Sequence, residues 1–445
     1  MRIAFVSHCV NKRLGVPRCV AELVERFSLS DDVTVFSDSV ADLSTIRFRF
    51  VRIPSVPGSR LLGHASFWAV GAAVARLERH LRDQGFDIVH STVGPVLFAN
   101  VVTMHFCQAA EWSLIRRGAF RGPQNLSKLR SLDYNLYRRL TMAIERRTFS
   151  RRGPAAVTVV SEQMKKDVVT HYGEGAGNVF VIPNAVDARE FHPRNRDEYR
   201  LPVRRELGIP LRAPVILFVG GDWERKGLPQ AIASLGLMRR NDPVLLVVGP
   251  GSAAQYRDLA RRYGVESRVV FVGSRSHTAP YYAAADVLTL PSLYEPFGLV
   301  VTEAMASGLP VVVSPEVGAS FLITNRGNGI VMEPAWDEGS LAEELEYLLE
   351  CPESRKLMAE NGRLTAERLS WDNVARQTLS VYQYVLGVRA LESVRGWWQS
   401  DEVAESAKTP LPIGSALARA TTPTYSPLLP LRGTDQRAKL EQGRR

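Results

Sequence analysis

At 445 residues the chain exceeds what one hydrophobic core usually holds and suffices for two. Hydrophobic content of 45% and charged content of 23% are those of a globular protein, which excludes fibrous and low-complexity classes. No apolar run reaches the length of a spanning helix, Leu61 to Ala75 coming nearest with His64 inside it. The net charge of +10 calls for an anionic partner: a membrane surface, a nucleic acid or an acidic glycan.

Cys9, Cys19, Cys107 and Cys351 show no metal-ligand spacing and read as reduced thiols of a cytosolic protein. There is no Asp-x-Asp pair and no His/Cys cluster, so no metal is expected. The first strand, Ile3 to Ser7, begins the chain with no cleavable signal peptide ahead of it. It runs into Asn11–Pro17 and a helix, Arg18 to Phe27. Gly15 and Val16 thus stand at a helix mouth, where glycine lets backbone approach a phosphate. A plain strand-to-helix turn is the alternative.

Val33 to Phe36 and Phe48 to Ile53 read as strands, and Phe67 to Arg82 as an amphipathic helix. Asp87 to His90 and Val101 to Met104 are strands ending in His90 and His105, which are structural or line a cleft; His8 is a further candidate. Between Glu111 and Arg152 stand eleven Lys or Arg against three acidic residues, interleaved with Trp112, Leu132 and Tyr137. That pattern fits docking on an anionic membrane surface. Leu126 to Phe149 is helical in pattern, Ala156 to Val160 is a strand, and Ser161 caps a helix through His171.

Val179 to Ile182 closes the first half. The second opens on strand Val215 to Val219, followed by Gly220-Gly221-Asp222-Trp223-Glu224-Arg225-Lys226-Gly227 and a helix, Pro229 to Arg239. Glycines at a strand end with an Arg-Lys pair form an anion site, because Arg forks onto phosphate oxygens and Lys adds a point charge. Strands Val244 to Val248 and Val269 to Val272 follow, the latter leading into Gly273, Ser274 and Arg275. Strand Val287 to Leu290 stops at Pro291. After it come the loop Tyr294–Gly298, a short helix from Leu299 to Ser307, Gly308-Leu309-Pro310, and strand Val311 to Val313. The loop sits at the carboxyl end of a strand, where open α/β sheets bind ligands. Glu295 in it and Glu303 in the helix can face one cleft, and two carboxylates there suit a polyhydroxylated ligand. Spacing alone carries little: Glu338 and Glu346 share it, and are expected on the solvated face of an ordinary helix. Glu343 to Leu349 and Ser354 to Arg368 are late helices, and from about Ser400 five prolines and no apolar period predict a disordered tail.

Residues 291 to 314 resemble the Glu-x7-Glu signature of the family 4 retaining glycosyltransferases of the GT-B fold. The resemblance implies an α/β chain of two doubly wound Rossmann-like domains facing a cleft. It divides as an acceptor-side domain (1–188), a linker (189–212), a donor domain (213–370), crossover helices from Trp371 to residue 398, and the tail (399–445). Pro183-Asn184-Ala185-Val186-Asp187 looks like the family's Pro-Asn-Gly-Val-Asp linker, and Gly15 stands where a Gly-Gly pair is usual.

Carried over, Glu295 faces the donor sugar and Glu303 binds the ribose. Arg225 and Lys226 bind the diphosphate and stabilise it as it leaves, and His105 points at the sugar. Gly15, Val16, Gly221, Phe297, Gly298 and Leu299 approach donor hydroxyls or phosphate, and the backbone at Gly273, Ser274 and Arg275 reads the base. The implied reaction is metal-independent transfer, with retention, from a UDP- or GDP-sugar to a glycan or lipid-linked acceptor, with no cofactor and no nucleic-acid partner. Glu-Arg-Arg-Thr-Phe and Asp-Trp-Glu-Arg-Lys-Gly look similar to lipopolysaccharide-core enzymes, which implies cell-surface polysaccharide or glycolipid synthesis at the inner face of the plasma membrane. A nucleotide-sugar 2-epimerase of the same fold and a non-catalytic carbohydrate-binding protein are the alternatives.

Overall fold

Every apolar run read as a strand lies in one of two parallel sheets of the computed structural model. The structure describes residues 1–393 apart from 45–46, 57, 60, 68–69, 71–84, 93–98, 121–126, 150–152, 174–177 and 335. The expected tail, most of the helix from Phe67 to Arg82, and parts of the basic segment 111–152 lie outside the described residues. Met1–Val388 form one compact unit, beyond which the described chain only continues its last helix.

The first lobe contains β1 (Arg2–Val6), β2 (Cys9–Asn11), α1 (Gly15–Phe27), β3 (Asp32–Ser37), β4 (Ser39–Ala41), β5 (Arg49–Arg52), β6 (Ile88–Thr92) and β7 (Val101–Met104). It continues through α2 (Gln108–Arg116), α3 (Lys128–Thr148), β8 (Ala156–Val159), α4 (Glu162–Tyr172) and β9 (Val179–Val181). Its sheet runs β5-β3-β1-β6-β7-β8-β9, so strand order reverses between β1 and β6. The short parallel pair β2–β4, which its three-residue strands hid from the pattern, extends the loops above β1 and β3.

The second lobe holds α5 (Asn195–Glu206), β10 (Val215–Val219), α6 (Leu228–Leu237), β11 (Val244–Val248), α7 (Ala253–Arg262), β12 (Val269–Gly273), α8 (Ala279–Ala284) and β13 (Val287–Leu290). After these come α9 (Leu299–Ala306), β14 (Val311–Val313), β15 (Ile330–Val331), α10 (Glu338–Glu350) and α11 (Pro352–Glu367). Its sheet runs β12-β11-β10-β13-β14-β15, with the reversal between β10 and β13. Strands such as β10 and β11 are buried along their whole length, as strands covered by helices on both faces must be. One apolar core joins the lobes, with Met104 and Val159 from the first sheet and Leu217 and Leu290 from the second.

Helix α12 (Trp371–Ser393) returns to the first lobe. Its Tyr382 is fully buried beside Phe27 and bonds Nδ1 of His90 at 2.6 Å. This accounts for His90 as a structural histidine: both ring nitrogens are engaged inside the sheet, and burial pushes its pKa down to about 3.

Within the stretch 189–212, α5 fills half of the residues and docks on α8 through Arg204. The fully buried guanidinium donates to the carbonyls of Ala284, Leu211 and Ala213 and pairs with Asp286 at 2.8 Å. A buried cation so satisfied ties the segment to the second lobe. Likewise Glu346 is 3% exposed rather than solvated. Its carboxylate accepts the backbone N–H groups of Arg239 and Arg240, which a helical period cannot reveal.

Candidate active site

Because β10 and β13 are neighbours at the strand-order reversal, the loops leaving their carboxyl ends meet. One loop carries Arg225 and Lys226, the other Tyr294 and Glu295. Lys226 Nζ donates to Glu295 Oε2, and Arg225 lies 3.5 Å from the same oxygen. Arg225 also donates to the Tyr294 carbonyl and, at 2.7 Å, to Asp222. Burial pushes the Glu295 carboxyl up, but the two cations and their hydrogen bonds outweigh it and hold it below the usual range. Burial also opposes the charge on Arg225, and Glu295 and Asp222 outweigh that. Glu295 and Arg225 are therefore held charged together, and the three side chains have exposures of only 11–13%.

The Glu295 backbone is pinned as well. Its N–H donates to the Glu316 carbonyl at 3.1 Å, and its own carbonyl accepts from Gly318 N at 2.7 Å. Gly298 then turns the chain into α9 with φ of +93°, where a Cβ would press on Val317 at 3.1 Å and Glu295 at 3.4 Å. Neither α9 nor α1 has a side-chain cap at its N-terminus, so both keep first-turn N–H groups for a ligand.

These two helix mouths open on one cleft of about 1050 Å³, lined by Gly15, Arg18, Ser274, Arg275, Leu299 and Glu303 among others. Gly220, against which the Lys226 stem lies, lines it too. Glu303 accepts the Tyr282 hydroxyl at 2.6 Å, and burial pushes its carboxyl up against that bond and the Arg18 charge. Arg275 donates to the Tyr281 hydroxyl at 2.9 Å. Gly273 has φ of +78° with open space around it, and Gly221 packs on Pro250. Phe297 is buried, and its carbonyl accepts Ala319 N–H at 2.7 Å.

Val16 and His105 stand apart from the large cleft and line a second pocket of about 400 Å³ in the first lobe. His8 lines it too, stacked on Phe67 at 4.9 Å. Burial pushes the His105 imidazole down to about 4, so the ring is neutral at physiological pH, and its buried Nδ1 has no protein partner among the described residues. The next residue, Phe106, turns toward the second lobe, its ring 5.6 Å from the Arg225 guanidinium and 5.5 Å from Tyr294.

Sequence reasoning missed Arg18, Glu190 and Tyr282. Arg18 lines the cleft opposite Glu303 and pairs with Glu190 at 3.3 Å, contacts that depend on how the lobes dock. Among the described residues no group of three His, Cys, Asp or Glu could hold a metal ion, and no helix is long and apolar enough to cross a membrane.

Residues 14–190 match the family model for Glycosyltransferase Family 4, and residues 200–365 that for Glycosyl transferases group 1. The chain belongs to the family 4 glycosyltransferases. The chain is 33% identical over 235 residues to an uncharacterised glycosyltransferase of Methanocaldococcus jannaschii, a match covering 52% of this chain and 60% of that one. It is also 33% identical over 239 residues to the D-inositol 3-phosphate glycosyltransferase of Corynebacterium kroppenstedtii, covering 51% of this chain and 52% of the other. The chain thus spans 52% to 60% of the length of these relatives. Among solved structures it resembles WaaG, a glycosyltransferase involved in lipopolysaccharide biosynthesis, with a TM-score of 0.67 at 23% identity, over 85% of this chain and 99% of that chain. That likeness establishes the GT-B fold.

One buried acid of the chain stands outside the charged cluster. Burial pushes the Glu145 carboxyl up to about 7, against hydrogen bonds from Tyr172 and from the Gln108 and Ala109 amides, with Glu111 adding to the rise. A group whose pKa is raised on folding lends stability below its unfolded value and loses it as pH climbs through the folded one. Glu145→Gln is therefore expected to gain on the wild type between pH 5 and pH 8, by up to about 3 kcal/mol. Thermal melts of both proteins across that range check the sign: a difference that shrinks as pH rises would contradict it.

Proposed function

We propose that the protein is a retaining glycosyltransferase that moves a sugar from a nucleotide-sugar, with UDP- and GDP-sugars the first candidates, to a glycan or lipid-linked acceptor without a metal. The observation that carries this reading is the buried Glu295–Lys226–Arg225 cluster beside two uncapped helix mouths. A diphosphate entering there meets first-turn N–H groups and two cations already held in place by Glu295, Asp222 and the Tyr294 carbonyl, which is electrostatic preorganisation. Arg225 and Lys226 stabilise the departing nucleoside diphosphate, and Glu295 holds the sugar beside it. Glu303 takes ribose hydroxyls, while Ser274 and Arg275 stand where the base would lie. In a front-face transfer the bond from sugar to phosphate oxygen breaks as the acceptor oxygen bonds the same carbon, and the acceptor's proton passes to that phosphate oxygen. His105, neutral in the adjoining pocket, contributes a polar edge toward the sugar.

A lipid-linked acceptor of a bacterial-type cell-surface glycolipid fits the outer face of α3. There Leu129 is 80% and Leu132 56% exposed, beside Lys128, Arg130 and Arg139. Such a face suits peripheral docking on the inner leaflet of a plasma membrane.

The test is release of nucleoside diphosphate from UDP-, GDP- and ADP-sugars in EDTA, with acceptor extracts, for the wild type and Glu295→Ala. Release confined to one donor and lost in the variant supports the reading, whereas none from any donor by folded protein defeats it. Gly15 supplies a milder probe. A Cβ there meets nothing within 4 Å in the free protein, so Gly15→Ala is expected to leave the melting temperature within about 1 °C while weakening donor affinity about tenfold. Equal affinity in both proteins would place the diphosphate away from α1.

A further inference from the structure

A strut of side chains that the chemistry above does not use runs from the first-lobe pocket to the loops of Arg225 and Tyr294. Glu145 on α3 is 2% exposed and lines the first-lobe pocket beside His105. Its carboxylate accepts the backbone N–H of Gln108 at 3.0 Å, the first residue of α2. That helix has no side-chain cap of its own, because Cys107 occupies the cap position. Glu145 therefore caps α2 from another helix, its side-chain oxygen satisfying a first-turn donor. Its second oxygen accepts the Tyr172 hydroxyl. The Tyr172 ring stacks on Phe149 at 4.8 Å and packs against the cluster of Cys107, Ala110, Phe120 and Tyr294. Between the capped helix and the strand end lies the turn His105–Cys107, whose Phe106 meets Arg225 and Tyr294 of the other lobe.

We propose that Glu145 and Tyr172 are positioning residues, bracing the turn His105–Cys107 so that Phe106 stays packed on the Arg225 guanidinium and the first-lobe pocket stays aligned with the cationic cluster. This rests on the transfer reading above for its kinetic consequence, though not for its structural one. Phe106 excludes water from one side of Arg225, and the guanidinium stays oriented by the ring, by the Tyr294 carbonyl and by Asp222. Releasing the brace lets the turn drift. A shift on the order of 1 Å in a reacting constellation is enough to lower a rate substantially.

The experiment compares full-length wild type, Glu145→Ala, Glu145→Gln and Tyr172→Phe by amide exchange and by kinetics. In Glu145→Ala, exchange should quicken about tenfold at residues 105–110 and also at 292–297 across the cleft, because the orphaned cap frees both sides of the strut. Glu145→Gln keeps an acceptor oxygen for Gln108 and should restore most of the protection. Kinetics use whichever of UDP-glucose, GDP-mannose or ADP-glucose the wild type turns over. With it, kcat per folded molecule should fall about tenfold in Glu145→Ala and less in Tyr172→Phe, with donor KM within about twofold. A purely structural role would lower the melting temperature and the folded fraction while leaving kcat per folded molecule unchanged, and that result overturns the proposal. So does exchange that quickens at 105–110 alone. If the wild type turns over no donor, the transfer reading fails, while exchange at 292–297 still decides whether the brace exists.

Discussion

Glu295→Ala is expected to cut sugar transfer by at least about a hundredfold while leaving nucleoside diphosphate binding intact or tighter. The carboxylate is the shared partner of Lys226 and Arg225. Removing it strands Lys226 and leaves Arg225 with Asp222 as its remaining counter-charge, and breaking a buried pair in this way costs about 3–5 kcal/mol. The variant should therefore melt well below the wild type. An added nucleoside diphosphate supplies the missing negative charge, so the rise in melting temperature on adding UDP, GDP or ADP should be larger for the variant than for the wild type. Calorimetry with each nucleotide tests this directly. If the ligand stabilises both proteins equally, the diphosphate does not sit on these cations. A variant that keeps full turnover would remove Glu295 from the chemistry.

Arg225→Ala is expected to damage binding and turnover together, raising donor KM and lowering kcat by about a hundredfold each. Arg225 holds the Tyr294 carbonyl, Asp222 and Glu295 at once, and its guanidinium faces the Phe106 ring. On the proposed reading its loss removes a hydrogen-bond donor to the diphosphate, and it loosens the loop that presents Glu295. Arg225→Lys keeps the charge but not the fork, so it should restore less than a tenth of the lost activity. Steady-state kinetics on the donor identified for the wild type distinguish the cases. A variant with raised KM and unchanged kcat would confine Arg225 to ground-state binding.

The parallel strands were readable as short apolar runs, several of them closed by Gly or Pro, as at Val287–Leu290 before Pro291, and their alternation with helices left little choice of architecture. Strand order was not readable, yet it is what brings Arg225 to Glu295 across 70 residues of chain. The motif around Glu295 stood in for that missing geometry. Where no motif helped, tertiary contact decided alone. Arg18 and Glu190 are ordinary charged residues until the lobes face each other, and Tyr282 is one of two adjacent tyrosines of which only one reaches Glu303. Glu346 and Arg204 misled or escaped the reading for the same reason: a buried charge is betrayed by its partners, and those lie elsewhere in the chain.

Helix α12 also bears on how the molecule can be taken apart. Tyr382 and Val385 fill the outer face of the first sheet with Phe5 and Phe27, and Arg26 reaches Asp372 at 2.6 Å. The first lobe is therefore discontinuous in sequence. A graft that exchanges residues 1–188 between two such enzymes imports a sheet whose hydrophobic face was shaped for a different closing helix. The modular piece is that segment together with the stretch from Trp371 to Val385. Chimeras that move both should fold and carry their acceptor preference with them, and chimeras that move the first segment alone should yield insoluble protein.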